Sequence, residues 1–293
     1  MRLSLNGLEH NIETWGDPSK PQLFLFHGWL DMGASFDFVC RHLEDHFYCI
    51  ALDFRGMGQS QHTANPLGYF FYEYIADLHA LFQHFSPDTP VQALGHSMGG
   101  NVVALYAGTF PERVSQFINI EGFGIVDMPS EKGPHRLRAW IEGLGSKTFN
   151  EYARLEDLAA RLRKTYPRLS PEKALFLAEH LSRRTKDGFR VSADPKHKYV
   201  HPYIFQLENI VPFWQQIQAR CLLVSTEHTN MHDWMTDGAD YRDELKKRLA
   251  FFPAGSPQVV IKDSGHMVHH DQPEDIARIT KEFLTKESLI EGE

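Results

Sequence analysis

The stretch VQALGHSMGGNVVALYA, residues 91–107, constrains the fold more strongly than any other part of the chain. An apolar, strand-like run leads into Gly95-His96-Ser97-Met98-Gly99, and small or branched apolar residues follow at helical spacing. A serine held between a strand and a helix in this way needs strained backbone angles, and only very small residues fit two positions to either side. The pattern predicts that Ser97 is a nucleophile. It also predicts a free amide at Met98, the start of the helix, that can bind an oxyanion.

The alternative is a glycine-rich turn in an unrelated α/β protein, and the surrounding pattern argues against it. Asn6-Gly7 predicts an opening hairpin, and further strand-like runs alternate with helical patterns. Such alternation predicts a mostly parallel sheet with right-handed crossovers and with its chemistry at the carboxyl ends of the strands. The predicted buried strands cover residues 22–27, 47–52, 91–96, 117–120, 221–225 and 258–261.

The character of the chain changes near residue 127. Up to about residue 212 we find no run typical of a buried strand, only helix-like segments at 136–144, 150–166 and 171–184. A structureless loop of this length is uncommon in a compact domain. We therefore expect a core in two parts, residues 1–126 and 213–293, with an inserted helical cap at residues 127–212.

Composition sets the broad class of the protein. Of the 293 residues 42% are hydrophobic and 23% charged, and the net charge of -8 argues against nucleic acid as a partner. Cys40, Cys49 and Cys221 lack CxxC spacing, so we expect buried free thiols and a reducing compartment. Neither a signal peptide nor a membrane-spanning run is visible, which predicts a cytoplasmic protein without a membrane partner.

A serine nucleophile needs a histidine base, and the histidine needs a carboxylate. The chain has 17 histidines, of which His266 follows the last predicted strand and so falls at the carboxyl edge of the sheet. We predict that His266 is the base. His269 and His270 are expected to be structural or rim residues.

Several short motifs follow one another along the chain: His27-Gly28-Trp29-Leu30-Asp31, Ser35-Phe36-Asp37, 51–60, 95–100, Gly265-His266 and Pro273-Glu274. Together they resemble the α/β-hydrolase superfamily, and more closely the serine-hydrolase-like proteins, relatives of haloalkane dehalogenases and epoxide hydrolases. The resemblance implies an eight-stranded sheet flanked by helices, with the amides of Trp29 and Met98 as the oxyanion hole. It implies no cofactor, and no nucleotide-binding glycine motif is present.

The catalytic acid is where the chain departs from the common family pattern. Thr229 stands where an aspartate is usual. One branch of the family instead uses a carboxylate at the end of the strand after the elbow helix, and Glu121 matches that arrangement. A glutamate that ends a buried strand also needs a partner, which favours Glu121 as the acid. Glu227 and Asp233 remain alternatives for the acid. Glu121 could also have no catalytic role and only form a salt bridge at the end of its strand.

These features predict a hydrolase that cleaves a carboxylic ester or related acyl bond through an acyl-enzyme, without a cofactor. We expect a small-molecule substrate with an apolar acyl part, bound near Trp29, Phe123 and Trp140. His228 and His232 are four residues apart but lack a third ligand, so no metal site is expected. The alternatives are a C–C bond hydrolase with the same triad and a non-catalytic ligand-binding protein. The sequence does not define the oligomeric state.

Overall fold

The computed structural model describes residues 1–285 and contains a sheet of eight strands. Apolar, β-branched and aromatic residues dominate its central strands, which are covered on both faces. The strands of the chain, including three short ones outside the main sheet, are β1 (Arg2–Leu5), β2 (Leu8–Trp15), β3 (Gln22–Phe26), β4 (Tyr48–Leu52), β5 (Val91–His96), β6 (Val114–Ile120), β7 (Glu151–Tyr152), β8 (Ser182–Arg184), β9 (Phe189–Val191), β10 (Arg220–Thr226) and β11 (Gln258–Ile261).

The strand order in the main sheet is β1-β2-β4-β3-β5-β6-β10-β11. Pairing is antiparallel from β1 through β2 to β4 and parallel across the rest, which confirms the predicted hairpin and the mostly parallel sheet. In register, His96 of β5 pairs with Ile120 of β6, and Ile120 pairs with Val224 of β10. β5 and β6 therefore end at the same level and β10 continues to Thr226, so the loops that follow the three strands meet at one edge.

Helices cover both faces of this sheet. One apolar cluster includes side chains of α2, α3 and α7, and a second includes side chains of α1, α10 and α11 on the other face. The helices are α1 (Asp37–Cys40), α2 (Phe71–Phe85), α3 (Met98–Thr109), α4 (Gly133–Gly143), α5 (Leu155–Thr165), α6 (Pro171–Leu181), α7 (Leu207–Gln216), α8 (His232–Met235), α9 (Tyr241–Leu249), α10 (Val268–Asp271) and α11 (Pro273–Thr285), with short 3-10 turns at Gly33–Phe36, Pro111–Arg113, Ser130–Lys132 and Pro195–Lys198.

The segment between β6 and α7 differs in one respect from the sequence prediction. It contains α4, α5 and α6 as expected, but it also forms a three-stranded antiparallel sheet in the order β7-β9-β8. These strands have only two or three residues each, and no run of buried apolar residues marks them. The predicted boundary at residue 212 lies inside α7, whose Trp214 is buried with the main core.

Two scaffold predictions are confirmed. The Arg55 guanidinium pairs with Asp77 and Glu73, with N–O distances of 2.6 Å to each. The three cysteines are free and buried. Within residues 1–285, no helix combines the length and the apolar character that a membrane crossing requires.

Candidate active site

Ser97 lies in the turn between β5 and α3 with φ 52° and ψ -114°, a strained conformation for a residue with a side chain. The neighbouring glycines make this turn possible. A Cβ at Gly95 would lie 2.6 Å from the Gly100 nitrogen, and one at Gly99 would lie 2.1 Å from the Phe26 carbonyl oxygen. The strand-to-helix turn predicted from the glycine spacing is therefore present, with Ser97 as the N-cap of α3.

His266 contacts both of its predicted partners. Its Nε2 lies 3.0 Å from Ser97 Oγ, and its Nδ1 lies 3.2 Å from Glu121 Oε2. An ionised carboxylate can only accept hydrogen bonds, so Nδ1 carries the proton and Nε2 is free to accept the serine proton. This is the tautomer that a histidine base requires.

Glu121 is fully buried and follows β6 with a positive φ of 56°. Besides His266, its carboxylate accepts hydrogen bonds from the Thr226 amide (3.0 Å) and from the Thr229 hydroxyl. The Asn119 side chain braces the turn because it donates to the Gly122 carbonyl and accepts from the Gly122 amide, at 2.9 and 3.0 Å. A buried charge needs such compensation, and three donors supply it.

The alternative acids lie elsewhere. The Glu227 side chain is 47% exposed, accepts a hydrogen bond from the Asp263 amide and lies 3.7 Å from His228. Asp233 is 59% exposed and pairs with His232. Among residues 1–285, neither carboxylate forms a hydrogen bond or ion pair with His266. His232 begins α8 and His228 precedes that helix, so the two do not share the helical face that their spacing suggested.

The two backbone segments that carry the predicted oxyanion amides both lie close to Ser97. The Asp31 amide donates to the Gly28 carbonyl, and Leu30 has a φ of 58°, so residues 28–31 form a tight turn that leaves the Trp29 amide outside it. A Cβ at Gly28 would lie 3.4 Å from Ser97 Cβ, which shows how closely this turn approaches the serine. The Met98 amide is at the first position of α3, where the helix dipole favours negative charge.

His96 is a site residue whose contribution the sequence did not reveal. Its Nε2 donates to the His266 carbonyl at 2.8 Å, which fixes the backbone that carries the base. Burial lowers the pKa of His96 well below its usual range, and the nearby charges of His269 and His266 lower it further. His96 therefore stays neutral and supports His266 without adding a charge beside it.

The aromatic side chains assigned to a substrate pocket are dispersed. Phe123 is fully buried and packs edge-on against Phe252 in the core, so its predicted position beside the substrate is wrong. Trp29 is 55% exposed, and the Trp140 indole donates to the Leu67 carbonyl. Trp234, rather than Phe123, is the aromatic residue next to the candidate site: its ring lies edge-on to that of His266, with centroids 4.9 Å apart.

Sequence reasoning missed three supporting residues: Thr229, Asn119 and Trp234. An asparagine just before a strand-end turn is a recognisable signal, because its side chain commonly bonds to the backbone two or three residues on. Thr229 and Trp234 carry no comparable signal, since Thr229 contacts Glu121, 108 positions away, and Trp234 contacts His266 across an intervening helix.

Comparison with known proteins agrees with this geometry. Residues 21–273 match the family model described as alpha/beta hydrolase fold, and the chain belongs to that family. It is 23% identical to a serine hydrolase-like protein of Danio rerio, over 94% of this chain and 85% of that protein. It is 25% identical to serine hydrolase-like protein 2 of Homo sapiens, over 93% of this chain and 89% of that protein.

Among solved structures, a thioesterase domain from the curacin biosynthetic pathway superimposes with a TM-score of 0.85 at 22% identity, covering 96% of this chain and 98% of that one. Fold and relatives together define the chain as an enzyme of the α/β-hydrolase fold.

Proposed function

We propose that this protein is a serine hydrolase that cleaves a carboxylic ester or related acyl bond through an acyl-enzyme. The observation that carries the proposal is the line of contacts from Ser97 Oγ to His266 Nε2 (3.0 Å) and from His266 Nδ1 to Glu121 Oε2 (3.2 Å). Nucleophile, base and acid are thus within hydrogen-bond reach of each other in the order that acyl transfer requires.

The proposed reaction begins when Ser97 Oγ attacks the carbonyl carbon and its proton passes to His266 Nε2. The oxyanion that forms is stabilised by the amides of Trp29 and Met98. His266 then gives its proton to the leaving group as the acyl–oxygen bond breaks, which leaves an acyl ester on Ser97. A water molecule, deprotonated by His266, releases the acid and restores the serine. Glu121 balances the imidazolium charge in both halves of the reaction.

Residues 127–206 are proposed to act as the cap over this site. The apolar cluster of α5 and α6 includes Met32 and Ala34, which directly follow the turn that carries Trp29. The segment is therefore anchored beside the proposed oxyanion hole, and its packing supports a role in shaping the acyl pocket. We propose small-molecule substrates with an apolar acyl part, since Trp29 and Trp234 are exposed and the Trp234 ring lies beside that of His266.

Labelling with a fluorophosphonate probe tests the proposal. Wild type should be labelled and should hydrolyse p-nitrophenyl esters, with a dependence on acyl chain length. Ser97→Ala should lose labelling and nearly all turnover. Ser256→Ala is the matched control, because Ser256 only bonds to the Pro253 carbonyl in a surface loop. A folded wild type that neither labels nor turns over any ester would contradict the proposal and favour a non-catalytic ligand-binding role.

A further inference from the structure

Asp31, His269 and His270 form a second cluster of ionisable side chains behind the proposed active site. One potential ligand atom from each lies within 4.8 Å of the others, and all three residues are buried. His269 Nε2 is 3.5 Å from Asp31 Oδ2. The Ser35 hydroxyl donates to the same carboxylate oxygen at 2.9 Å.

The imidazoles in this cluster have unused nitrogens. Among the described residues 1–285, neither nitrogen of His270 has a hydrogen-bond partner, and Nδ1 of His269 has none. Both side chains are at least nine-tenths buried, with relative exposures of 0% for His269 and 3% for His270. Buried polar atoms are normally paired, so unpaired ones call for an explanation.

The donor set of the cluster suits a cation. A carboxylate oxygen and two imidazole nitrogens are common ligands of divalent transition metal ions, and here one such atom from each residue lies near the others in a buried position.

We propose that Asp31, His269 and His270 bind a divalent transition metal ion, with Zn²⁺ as the best fit. Two imidazole nitrogens and one carboxylate oxygen are typical zinc ligands, at metal distances of about 2.0–2.2 Å. Ligands arranged tetrahedrally at that distance are roughly 3.4 Å apart, so the side chains of this set must rotate inward to meet on one ion. Ser35 or solvent completes the coordination.

The position of the site gives the ion a role. Asp31 closes the turn that carries Trp29, while His269 and His270 lie in α10, which begins two residues after His266. The centroid of the His269 ring lies 4.5 Å from that of His96, which in turn lies 4.7 Å from that of His266. A bound ion would therefore connect the turn of the proposed oxyanion hole to the helix that follows the proposed base.

Isothermal titration of the full-length, chelator-treated protein with ZnCl₂ tests the inference without relying on activity. We expect one ion per chain. Asp31→Asn and His270→Phe should each weaken binding at least about tenfold, since loss of a group that only hydrogen-bonds to a metal ligand already costs about 10- to 100-fold. The double variant His228→Asn/His232→Asn removes two exposed histidines and should bind zinc like wild type.

A thermal melt separates lost binding from lost folding. Zinc should raise the Tm of wild type and of the surface double variant, but not that of folded Asp31→Asn. The inference is overturned if wild type binds no zinc, if Asp31→Asn and His270→Phe bind it as tightly as wild type, or if the surface double variant loses it. Because zinc binding and ester turnover are measured separately, failure here leaves the proposed hydrolase function untouched.

Discussion

The loops after β6 and β10 lie side by side at the edge of the sheet, yet one carries a hydrogen-bond acceptor and the other carries its donors. The first presents the Glu121 carboxylate to His266, and the second presents the Thr226 amide and the Thr229 hydroxyl to that carboxylate. The family pattern places the acid on the second loop, and here that position holds a donor. Adjacent parallel strands that end at the same edge of the sheet thus allow the proposed acid and its hydrogen-bond donors to exchange places.

The largest loss of activity is expected from a substitution in the first loop. Glu121→Gln should lower kcat/KM for ester hydrolysis by about 10³- to 10⁴-fold, because an amide neither holds the required tautomer nor balances the imidazolium charge. Glu227→Gln, on the second loop, should stay within about twofold of wild type, since its exposed carboxylate contacts only Asp263 and His228. Steady-state kinetics with a p-nitrophenyl ester gives both values. Equal losses in the two variants would contradict the assignment of the acid.

A second experiment moves the carboxylate from the loop after β6 to the loop after β10. In Glu121→Gln/Thr229→Asp the new carboxylate starts from a side chain already within hydrogen-bond distance of the old one. We expect up to about 100-fold recovery of kcat/KM over Glu121→Gln alone, still short of wild type because an ångström of misplacement is costly. Thr236→Asp in the Glu121→Gln background is the control, and recovery there would show that any added negative charge suffices.

A smaller effect is expected when only the donor is removed. Thr229→Val should lower kcat about tenfold with little change in KM, because a buried carboxylate loses a hydrogen bond worth about 1.5–3 kcal/mol. The proposed role of Thr229 is to position Glu121, so Thr229→Ser, which keeps the hydroxyl, should restore activity. A serine variant as slow as the valine variant would assign the loss to packing.

The smallest effect on activity is expected when Asn119, whose side chain holds the first loop, is replaced. Asn119→Ala leaves the Gly122 amide and carbonyl unpaired in a buried turn, which should cost about 1–3 kcal/mol of unfolding free energy. Turnover should fall only a few-fold. Urea denaturation measures the stability. Asn209→Ala, which removes an exposed side-chain contact with Gln206, should change it by less than about 0.5 kcal/mol.

Much of the architecture could be predicted from local patterns. The apolar runs identify the buried strands, and the glycines around Ser97 identify the turn, because both depend on residues close in sequence. The three-stranded sheet of β7, β8 and β9 could not be predicted, since strands of two or three residues carry too little periodicity. The boundary placed at residue 212 falls inside α7 because Pro212, a residue type that usually ends a helix, lies within this one.

In the candidate site, too, local sequence patterns predicted some residues, while others depend on contacts between distant parts of the chain. Ser97, His266 and Glu121 could be proposed because each follows a predicted strand, and their catalytic roles stay predictions until tested. The donors around Glu121 and the Asp31 cluster depend on side chains far apart in sequence, as with Asp31 and His269, which only the folded sheet edge brings together. Phe123 shows the converse error: an aromatic residue near the site in sequence is packed into the core.

The separation of the proposed triad along the chain has a consequence for folding. His266 is 169 positions from Ser97 and 145 from Glu121, so the chain must close long loops before the proposed base meets either partner. Residues 91–121 can form their local structure early and remain inert. Turnover would then begin only when β10, β11 and the His266 loop dock. In a refolding experiment the return of activity would mark the completion of long-range assembly, later than signals from the nucleophile turn alone.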